Sequence, residues 1–356
     1  MKPIYIVSWL FALAVSFVSC DDWLDKTPKD RLYPDVYFKT EDELRLFTNQ
    51  FYNNLVPSAV DIYSESSDLI VKSDLMLEMS GQRIIPDEGN GWNFTALRDI
   101  NFYLQYSHNC TEVNARNRYD GVARFFRAYF YFEKVKRYGD IPWYDKALDS
   151  DDPELYKARD SREFVMQKML EDLDFAIANL PKTKNAYVLT RWTALALKSR
   201  VCLFEGTFRK YHGLEDCEKY LNACVSASET FMNESGYTLY KSGSTPYRDL
   251  FASINLQADE VIFGRDYEAS LSVLHNVQNY ENSTTMGRPG MNKKIVNSYL
   301  MADGSRFTDK AGYETMTFDQ ECQNRDPRLA QTIRTPGYTR IGSTKKEAPN
   351  LAYTMT

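Results

Sequence analysis

The stretch Phe125-Phe126-Arg127-Ala128-Tyr129-Phe130-Tyr131-Phe132 decides the fold of this chain. Six of its eight side chains are aromatic, so a helix built from it is apolar around most of its circumference. Such a helix is stable only when other elements cover its faces. We therefore predict a buried central helix over residues 114–138 and assign the aromatic run to core packing, not to ligand binding.

The end of this helix is also marked in the sequence. Lys136 and Arg137 lie in its last turn, where cations are favoured by the negative end of the helix dipole. Gly139 can take the left-handed conformation of a C-cap, and Pro142 follows where a helix cannot continue. These signals predict that the helix ends at Tyr138.

Helical spacing recurs on both sides of this segment. Thr40 and Glu43 form a capping box for a helix that ends before Pro57. A second helix is predicted over residues 92–104, and residues 58–91 are predicted to be a long excursion with one short helix. Further helices are predicted at 160–180, 191–204 and 215–232.

Consecutive helices of about 16–20 residues with short connections indicate antiparallel helix pairs, the unit of tetratricopeptide solenoids. The predicted fold class is therefore all-α dominated: a tetratricopeptide-like helix-pair solenoid with loop-rich excursions and a few short strands. The predicted strands are Tyr237–Tyr240 and Glu260–Phe263. Small residues in the 191–204 helix, such as Ala194 and Ser199, favour close approach of a partner helix.

Composition excludes several classes of function. The net charge of −6 provides no general attraction to nucleic acid, so no nucleic-acid partner is expected. The three histidines lack metal-ligand spacing, and no metal or cofactor is predicted. The acidic segment 149–154 is interpreted as a solvated loop, with a calcium site as the alternative. The five cysteines beyond Cys20 cannot all pair and are interpreted as small core residues.

The N-terminus has the features of an export signal. After Lys2, residues 4–18 are apolar and uncharged, a run shorter than the about 20 residues of a membrane-spanning helix but typical of a signal-peptide core. A buried N-terminal helix is the alternative. Ser19-Cys20-Asp21-Asp22 resembles a lipobox followed by the acidic export signal of surface lipoproteins. We therefore expect a signal peptide at 1–19 and a tether at 20–39 that is lipidated on Cys20.

Four short sequence segments, taken together in their order and spacing, are specific enough to indicate a protein family. They are CDDWLDKTP at 20–28, RAYFYF to RYGDIP at 127–142, ALALKSRV at 194–201, and DG at 303–304 followed by RDPRL at 325–329. In these segments the chain resembles the RagB/SusD family of nutrient-uptake outer-membrane lipoproteins. We interpret the RDPRL segment itself as a turn held by an Arg–Asp pair, with a binding cluster as the alternative.

The resemblance implies a scaffold of four tetratricopeptide-like units with ligand-binding loops. It also implies a SusC-like TonB-dependent β-barrel transporter as partner, an oligosaccharide or, in some relatives, a peptide as ligand, and no enzymatic activity. On this basis residues 40–235 form the helical scaffold, and residues 236–356 form a loop-rich ligand-binding region of the same domain. Family members continue further, so we expect this region to be incomplete and the last helix pair to expose apolar surface.

Candidate ligand contacts lie in the predicted excursions, where aromatic faces and polar groups can serve the two sides of a sugar ring. They are Tyr63, Arg83, Trp92, Asn93, Tyr280 and Asn282. Trp92 follows Gly89-Asn90-Gly91, so its indole either stacks on a sugar at a loop edge or anchors the start of its helix in the core.

The sequence thus favours a lipid-anchored protein of the outer membrane, facing the cell surface, that binds an oligosaccharide for a transporter. A surface glycoside hydrolase is one alternative, although no GxSxG, P-loop or dinucleotide fingerprint is present. A peptide-capture or adaptor lipoprotein is the other.

Overall fold

The computed structural model describes residues 37–57, 69–71, 77–84, 89, 91–275 and 290–347. Helices dominate these residues, as the sequence predicts. The expected signal peptide at 1–19 and the lipidation site Cys20 lie outside the described residues. No helix in the described ranges combines the length and the apolarity that crossing a bilayer requires.

The α-helices of the described residues are α1 (Glu41–Leu55), α2 (Leu77–Ser80), α3 (Thr95–Tyr106), α4 (Val113–Tyr138), α5 (Arg162–Asn179), α6 (Arg191–His212), α7 (Cys217–Glu234), α8 (Pro246–Ala252), α9 (Lys293–Ser298), α10 (Phe318–Glu321) and α11 (Pro327–Thr332). Short 3₁₀ helices span Ser107–Asn109, Pro153–Tyr156, Ala269–Leu271, Phe307–Asp309 and Tyr313–Thr315. Strands β1 (Ile70–Val71) and β2 (Gly290–Met291) pair antiparallel, with Ile70 opposite Met291.

Helix α4 is the centre of the scaffold. It packs against α1, α3 and α5 and also touches α6. In its aromatic run, Phe126 and Tyr131 are at most 1% exposed, and only Tyr129 is left partly exposed. The prediction of a buried central helix is confirmed, and so is its end at Tyr138 with Gly139 as C-cap at φ 72°.

The long helices form antiparallel pairs. Along α4 and α5, Gly121 lies beside Leu180 while Arg127 reaches Asp172. Along α6 and α7, Arg191 pairs with Glu234 at one end, and Gly206 lies against Leu221 near the other. A Cβ on Gly206 would sit 2.7 Å from the Leu221 side chain, so this glycine permits the close approach of the two helices. These contacts show that α4 runs antiparallel to α5 and that α6 runs antiparallel to α7, as expected for a scaffold of helix pairs.

Helix α6 extends well past the predicted end near Phe204, to His212. Glu205 and Arg209 are buried and form an ion pair one turn apart within the helix, with 2.8 Å between Oε1 and Nε. This pair stabilises the extra turns. Gly213 then ends the helix in the left-handed conformation at φ 64°.

The strand predictions at Tyr237–Tyr240 and Glu260–Phe263 are wrong: neither segment is a strand. The two segments do meet, because the amide of Thr238 donates to the Asp259 carbonyl at 2.9 Å. The next contact, however, runs from the Tyr240 amide to the Glu260 carboxylate at 2.6 Å. A side chain thus takes the place of a backbone acceptor, and the backbone ladder of a sheet does not form.

The interpretation of the cysteines as core residues holds for only two of them. Cys110 and Cys202 are buried, whereas Cys217, Cys224 and Cys322 are partly exposed, and all five are free thiols. Burial raises the pKa of the Cys202 thiol to about 12, so this thiol stays protonated at neutral pH.

A buried polar chain links α5, α4 and α3. The Arg127 guanidinium forms a two-pronged ion pair with Asp172, at 2.6 and 2.7 Å, and also donates to Asn101 Oδ1 at 3.2 Å. Burial disfavours the charge on Arg127, but the Asp172 carboxylate outweighs this effect and raises the pKa of the guanidinium. Both charges therefore have the partner that buried charges require.

The same buried polar side chains, together with Tyr131, fix segment 141–148, which follows α4. Asn101 Nδ2 donates to the carbonyls of Tyr144 and Lys146, at 2.8 and 3.2 Å. The Tyr131 hydroxyl accepts from the Tyr144 amide at 2.6 Å and donates to the Pro142 carbonyl at 3.2 Å. Side chains of α3 and α4 thus hold much of segment 141–148, and the segment's start is fixed by a bridge between Ile141 and Asp160 and by the Trp143 amide, which donates to the Asp160 carboxylate.

Arg127→Met should lower the free energy of unfolding by about 3 kcal/mol, because it leaves the buried Asp172 carboxylate with only Arg124, 3.8 Å away, as an ion-pair partner. Urea denaturation measures the loss. The matched control is Lys168→Met, which breaks the exposed pair with Glu171 and should change stability by less than about 1 kcal/mol. Equal losses in the two variants would contradict the importance of the buried pair.

Tyr131→Phe should speed hydrogen exchange at the Tyr144 amide about tenfold or more, because an unpaired buried donor costs on the order of 1–3 kcal/mol. Exchange is read by NMR or mass spectrometry. Tyr52→Phe is the matched control, because the Tyr52 hydroxyl accepts from the Leu189 amide at 3.0 Å. It should speed exchange at Leu189 and leave Tyr144 unchanged; unchanged exchange at Tyr144 in Tyr131→Phe would refute this role of the hydroxyl.

Candidate functional site

A cavity of about 590 Å³ lies between the start of α3 and the segment that connects α4 to α5. This size is typical of small-molecule sites. The cavity is lined by aromatic, aliphatic and polar side chains from three separate parts of the chain. They are Trp92, Phe94, Thr95, Leu97, Arg98, Asn101, Pro142, Tyr144, Lys146, Leu148, Leu155, Lys157, Ala158 and Arg159. We call this cavity the Trp92 cleft.

Trp92 stands at the edge of the cleft and is 41% exposed. Its ring makes edge contacts with Tyr138 and Phe94, with centroids 4.9 and 5.3 Å away. The Arg159 guanidinium lies over the indole, 5.0 Å from its centroid. The alternative in which Trp92 is buried in the core is therefore wrong, because the indole rests on aromatic edges at the surface.

A tight turn places Trp92. Its amide donates to the Gly89 carbonyl at 3.0 Å, and the Asn93 amide donates to the Gly91 carbonyl at 2.9 Å. Gly91 has φ 82°, a conformation that favours glycine, and Lys134 Nζ donates to its carbonyl. The glycine pair that marks a turn in the sequence thus sets the direction of the indole.

Asn93 lies two residues before the first residue of α3 and also lines a neighbouring cavity. Its Oδ1 accepts from the Thr95 amide at 2.8 Å, which satisfies one of the free amides at the start of α3. The neighbouring cavity, of about 620 Å³, is lined by Asn93, Asp99, Glu133 and Lys134 among others, and it shares Thr95 with the Trp92 cleft. Burial lowers the pKa of Lys134, and the nearby Arg137 lowers it further.

Positive charge dominates the Trp92 cleft. Its lining contains Arg98, Lys146, Lys157 and Arg159 and no Asp or Glu. Carboxylates outside the lining partly neutralise three of these cations. Glu154 lies 2.9 Å from Lys146, Asp160 lies 3.0 Å from Lys157, and Asp149 lies 3.9 Å from Arg98.

The other predicted contact residues have different placements. Arg83 is exposed after α2 and lines neither of these two cavities. Tyr63, Tyr280 and Asn282 lie outside the described residues. The structure thus brings Trp92 and Asn93 to adjoining cavities, while the proposed roles of all six residues in ligand binding stay predictions.

Several residues that line the Trp92 cleft were not among the ligand contacts predicted from the sequence. Tyr144, Lys157 and Arg159 come from the connection after α4, 52 to 67 residues from Trp92 in sequence. Their only local signal is the aromatic pair Trp143-Tyr144 directly after Pro142, where an ordinary surface loop would be polar. That pair indicates a segment that is packed onto the scaffold.

The acidic segment 149–154 contributes ion pairs near the cleft and ends in the 3₁₀ helix Pro153–Tyr156. Across the described residues, no group of three or more His, Cys, Asp or Glu side chains is placed to hold a metal ion. Near the C-terminal end of the described residues, Asp326 pairs with Arg328, as predicted for the RDPRL segment. The segment is not a turn, however, because Asp326 caps helix α11, which begins at Pro327.

Two family models match the chain. Residues 80–191 match a model described as starch-binding and associating with the outer membrane, and residues 228–355 match the model of the SusD family. SusD-like protein P2 from Formosa agariphila is 26% identical over 294 residues, which is 77% of this chain and 55% of that protein. The chain spans about half the length of the curated relatives that it matches.

Solved structures share the fold. A SusD-like protein from Bacteroides fragilis superposes with a TM-score of 0.68 at 21% identity, over 88% of this chain and 64% of the other. A second protein from that organism, described as a SusD-like carbohydrate-binding protein, has a TM-score of 0.68 at 17% identity, over 88% and 63%. These likenesses show a shared fold, and the two family models, which match residues 80–191 and 228–355, show that the chain belongs to the SusD/RagB family.

Proposed function

We propose that this protein captures an oligosaccharide in the Trp92 cleft at the cell surface and passes it to a SusC-like TonB-dependent transporter. The observation that carries the proposal is the partly exposed indole at the edge of a cavity that also holds Tyr144 and the exposed side chain of Thr95. An aromatic face serves the apolar side of a sugar ring, and polar groups serve its hydroxyls. The fixed segment 141–148 keeps this arrangement in place before the ligand arrives.

The role is binding without catalysis. A glycoside hydrolase needs two carboxyl groups about 5–10 Å apart at the scissile bond. The lining of the Trp92 cleft provides cations and aromatic rings and no carboxyl group. One matching family is described as starch-binding, and the second Bacteroides fragilis protein is described as carbohydrate-binding.

Position at the outer membrane follows from the same proposal. Acyl chains on Cys20 would hold the protein on the bilayer, because each buried methylene adds about 0.8 kcal/mol and several chains together give a firm anchor. The matching family model is described as associating with the outer membrane. A tethered binding protein raises the ligand concentration at the mouth of the transporter.

Trp92→Ala should weaken oligosaccharide binding about tenfold or more, because the loss of one aromatic contact and its buried area exceeds roughly 1.4 kcal/mol. Affinity electrophoresis against a panel of polysaccharides identifies the ligand, and calorimetry measures its affinity. The matched control is Tyr211→Ala, which removes an aromatic side chain that is 82% exposed on α6, and it should leave binding unchanged. Circular dichroism confirms that both variants are folded.

Other results would contradict the proposal. Binding that Trp92→Ala leaves intact would place the ligand elsewhere on the protein. New reducing ends formed from the bound polysaccharide would indicate a glycoside hydrolase. A peptide panel that binds while every glycan fails would favour a peptide-capture protein.

A further inference from the structure

The charge of the Trp92 cleft is opposite to that of the whole chain. The chain has a formal net charge of −6, yet four cations and no carboxylate line this cavity. A cavity lined by one sign of charge concentrates ligands of the other sign. A neutral sugar gains no affinity from this positive field. The charge of the lining therefore indicates the charge of the ligand.

The four cations are not equally available. Lys157 is engaged by Asp160 and also donates to the Trp143 carbonyl at 2.7 Å, and Lys146 lies between Glu154 and Asp152. Their charges are largely balanced by these partners. They position the connecting segment, and they contribute little attraction for an added anion.

Arg159 differs from these lysines. Its guanidinium lies 5.0 Å above the Trp92 ring, and within the described residues it makes no ion pair with a carboxylate. Arg98 is only weakly balanced, because its partner Asp149 is 3.9 Å away and both side chains are more than half exposed. Exposed pairs of this kind are screened by solvent and are worth little. Arg159 and Arg98 therefore keep most of their positive charge for a ligand.

On the basis of the proposed function, we infer that the Trp92 cleft selects an anionic oligosaccharide, one that carries a carboxylate or a sulfate group. The sugar ring lies against the aromatic lining, and its anionic group meets the Arg159 guanidinium beside the indole. A guanidinium presents several N–H donors in a planar fork that matches carboxylate and sulfate oxygens. Arg98 adds a second positive charge to the same cavity.

Two matched ligand pairs test the inference. One pair is a galacturonate oligosaccharide and its methyl ester; the other is a sulfated galactan oligosaccharide and its desulfated form. We expect the charged member of at least one pair to bind about tenfold or more tightly, because hydrogen bonds to charged groups are among the strong ones. The preferred pair distinguishes a carboxylate from a sulfate. The preference should weaken as ionic strength rises.

Arg159→Gln should abolish most of this preference, measured as the ratio of the affinities for the charged and uncharged members. Arg159→Lys, which keeps the charge and loses the fork, should retain part of it. The matched control is Arg45→Gln, which removes a half-exposed cation that pairs with Asp42 on α1, and it should retain the full preference.

The outcomes separate this inference from the proposed function. Equal binding of the charged and uncharged members, or an unchanged preference in Arg159→Gln, overturns the inference; the proposed function stands if Trp92→Ala still prevents binding. Absence of any saccharide binding that depends on Trp92 overturns both. Poly-glutamate that binds as tightly as the charged saccharides, with the same dependence on Trp92 and Arg159, overturns the assignment of the ligand to a sugar.

Discussion

The buried guanidinium of Arg127 is the contact on which the rest of the structure depends. It lies on the central helix, neutralises Asp172 on α5 and donates to Asn101 on α3, so three helices meet at one charged group. Asn101 then uses its amide to hold the backbone of segment 141–148. A buried charge of this kind is stable only when every partner is present. The helical scaffold and segment 141–148, which lines part of the Trp92 cleft, are therefore coupled through the Arg127 side chain.

This coupling explains how aromatic residues can serve two purposes in one chain. Most aromatic rings of α4 are buried in the hydrophobic core, and the Tyr131 ring stacks on the Trp143 ring with centroids 4.3 Å apart. Tyr144 belongs to the same core cluster and lines the cleft, and Trp92 contacts Phe94 and Tyr138, which pack against that cluster. The cleft is thus an extension of the core to the surface, and the hydrogen bonds of Asn101 and Tyr131 fix part of its lining before a ligand enters. Preorganisation of this kind favours binding, because little order is lost when a ligand enters.

Much of the scaffold could be predicted from local sequence. The capping box at Thr40 and Glu43, the aromatic run and the C-cap at Gly139 each act within one or two helical turns, so the sequence alone identifies them. The cleft could be predicted only in part, because Trp92 and Arg159 meet through contacts between segments far apart in sequence. The strands predicted at 237–240 and 260–263 failed for the same reason: the competing acceptor, the Glu260 carboxylate, is twenty residues from the amide that it binds.

A crystal structure of the protein with its saccharide ligand tests the central claim most directly. We expect a sugar ring against Trp92 and Tyr144, with segment 141–148 in the same position with and without ligand. A saccharide bound instead in the separate cavity beside Phe125 and Arg200 would contradict it. So would a segment 141–148 that is detached from Asn101 and Tyr131 in the bound protein.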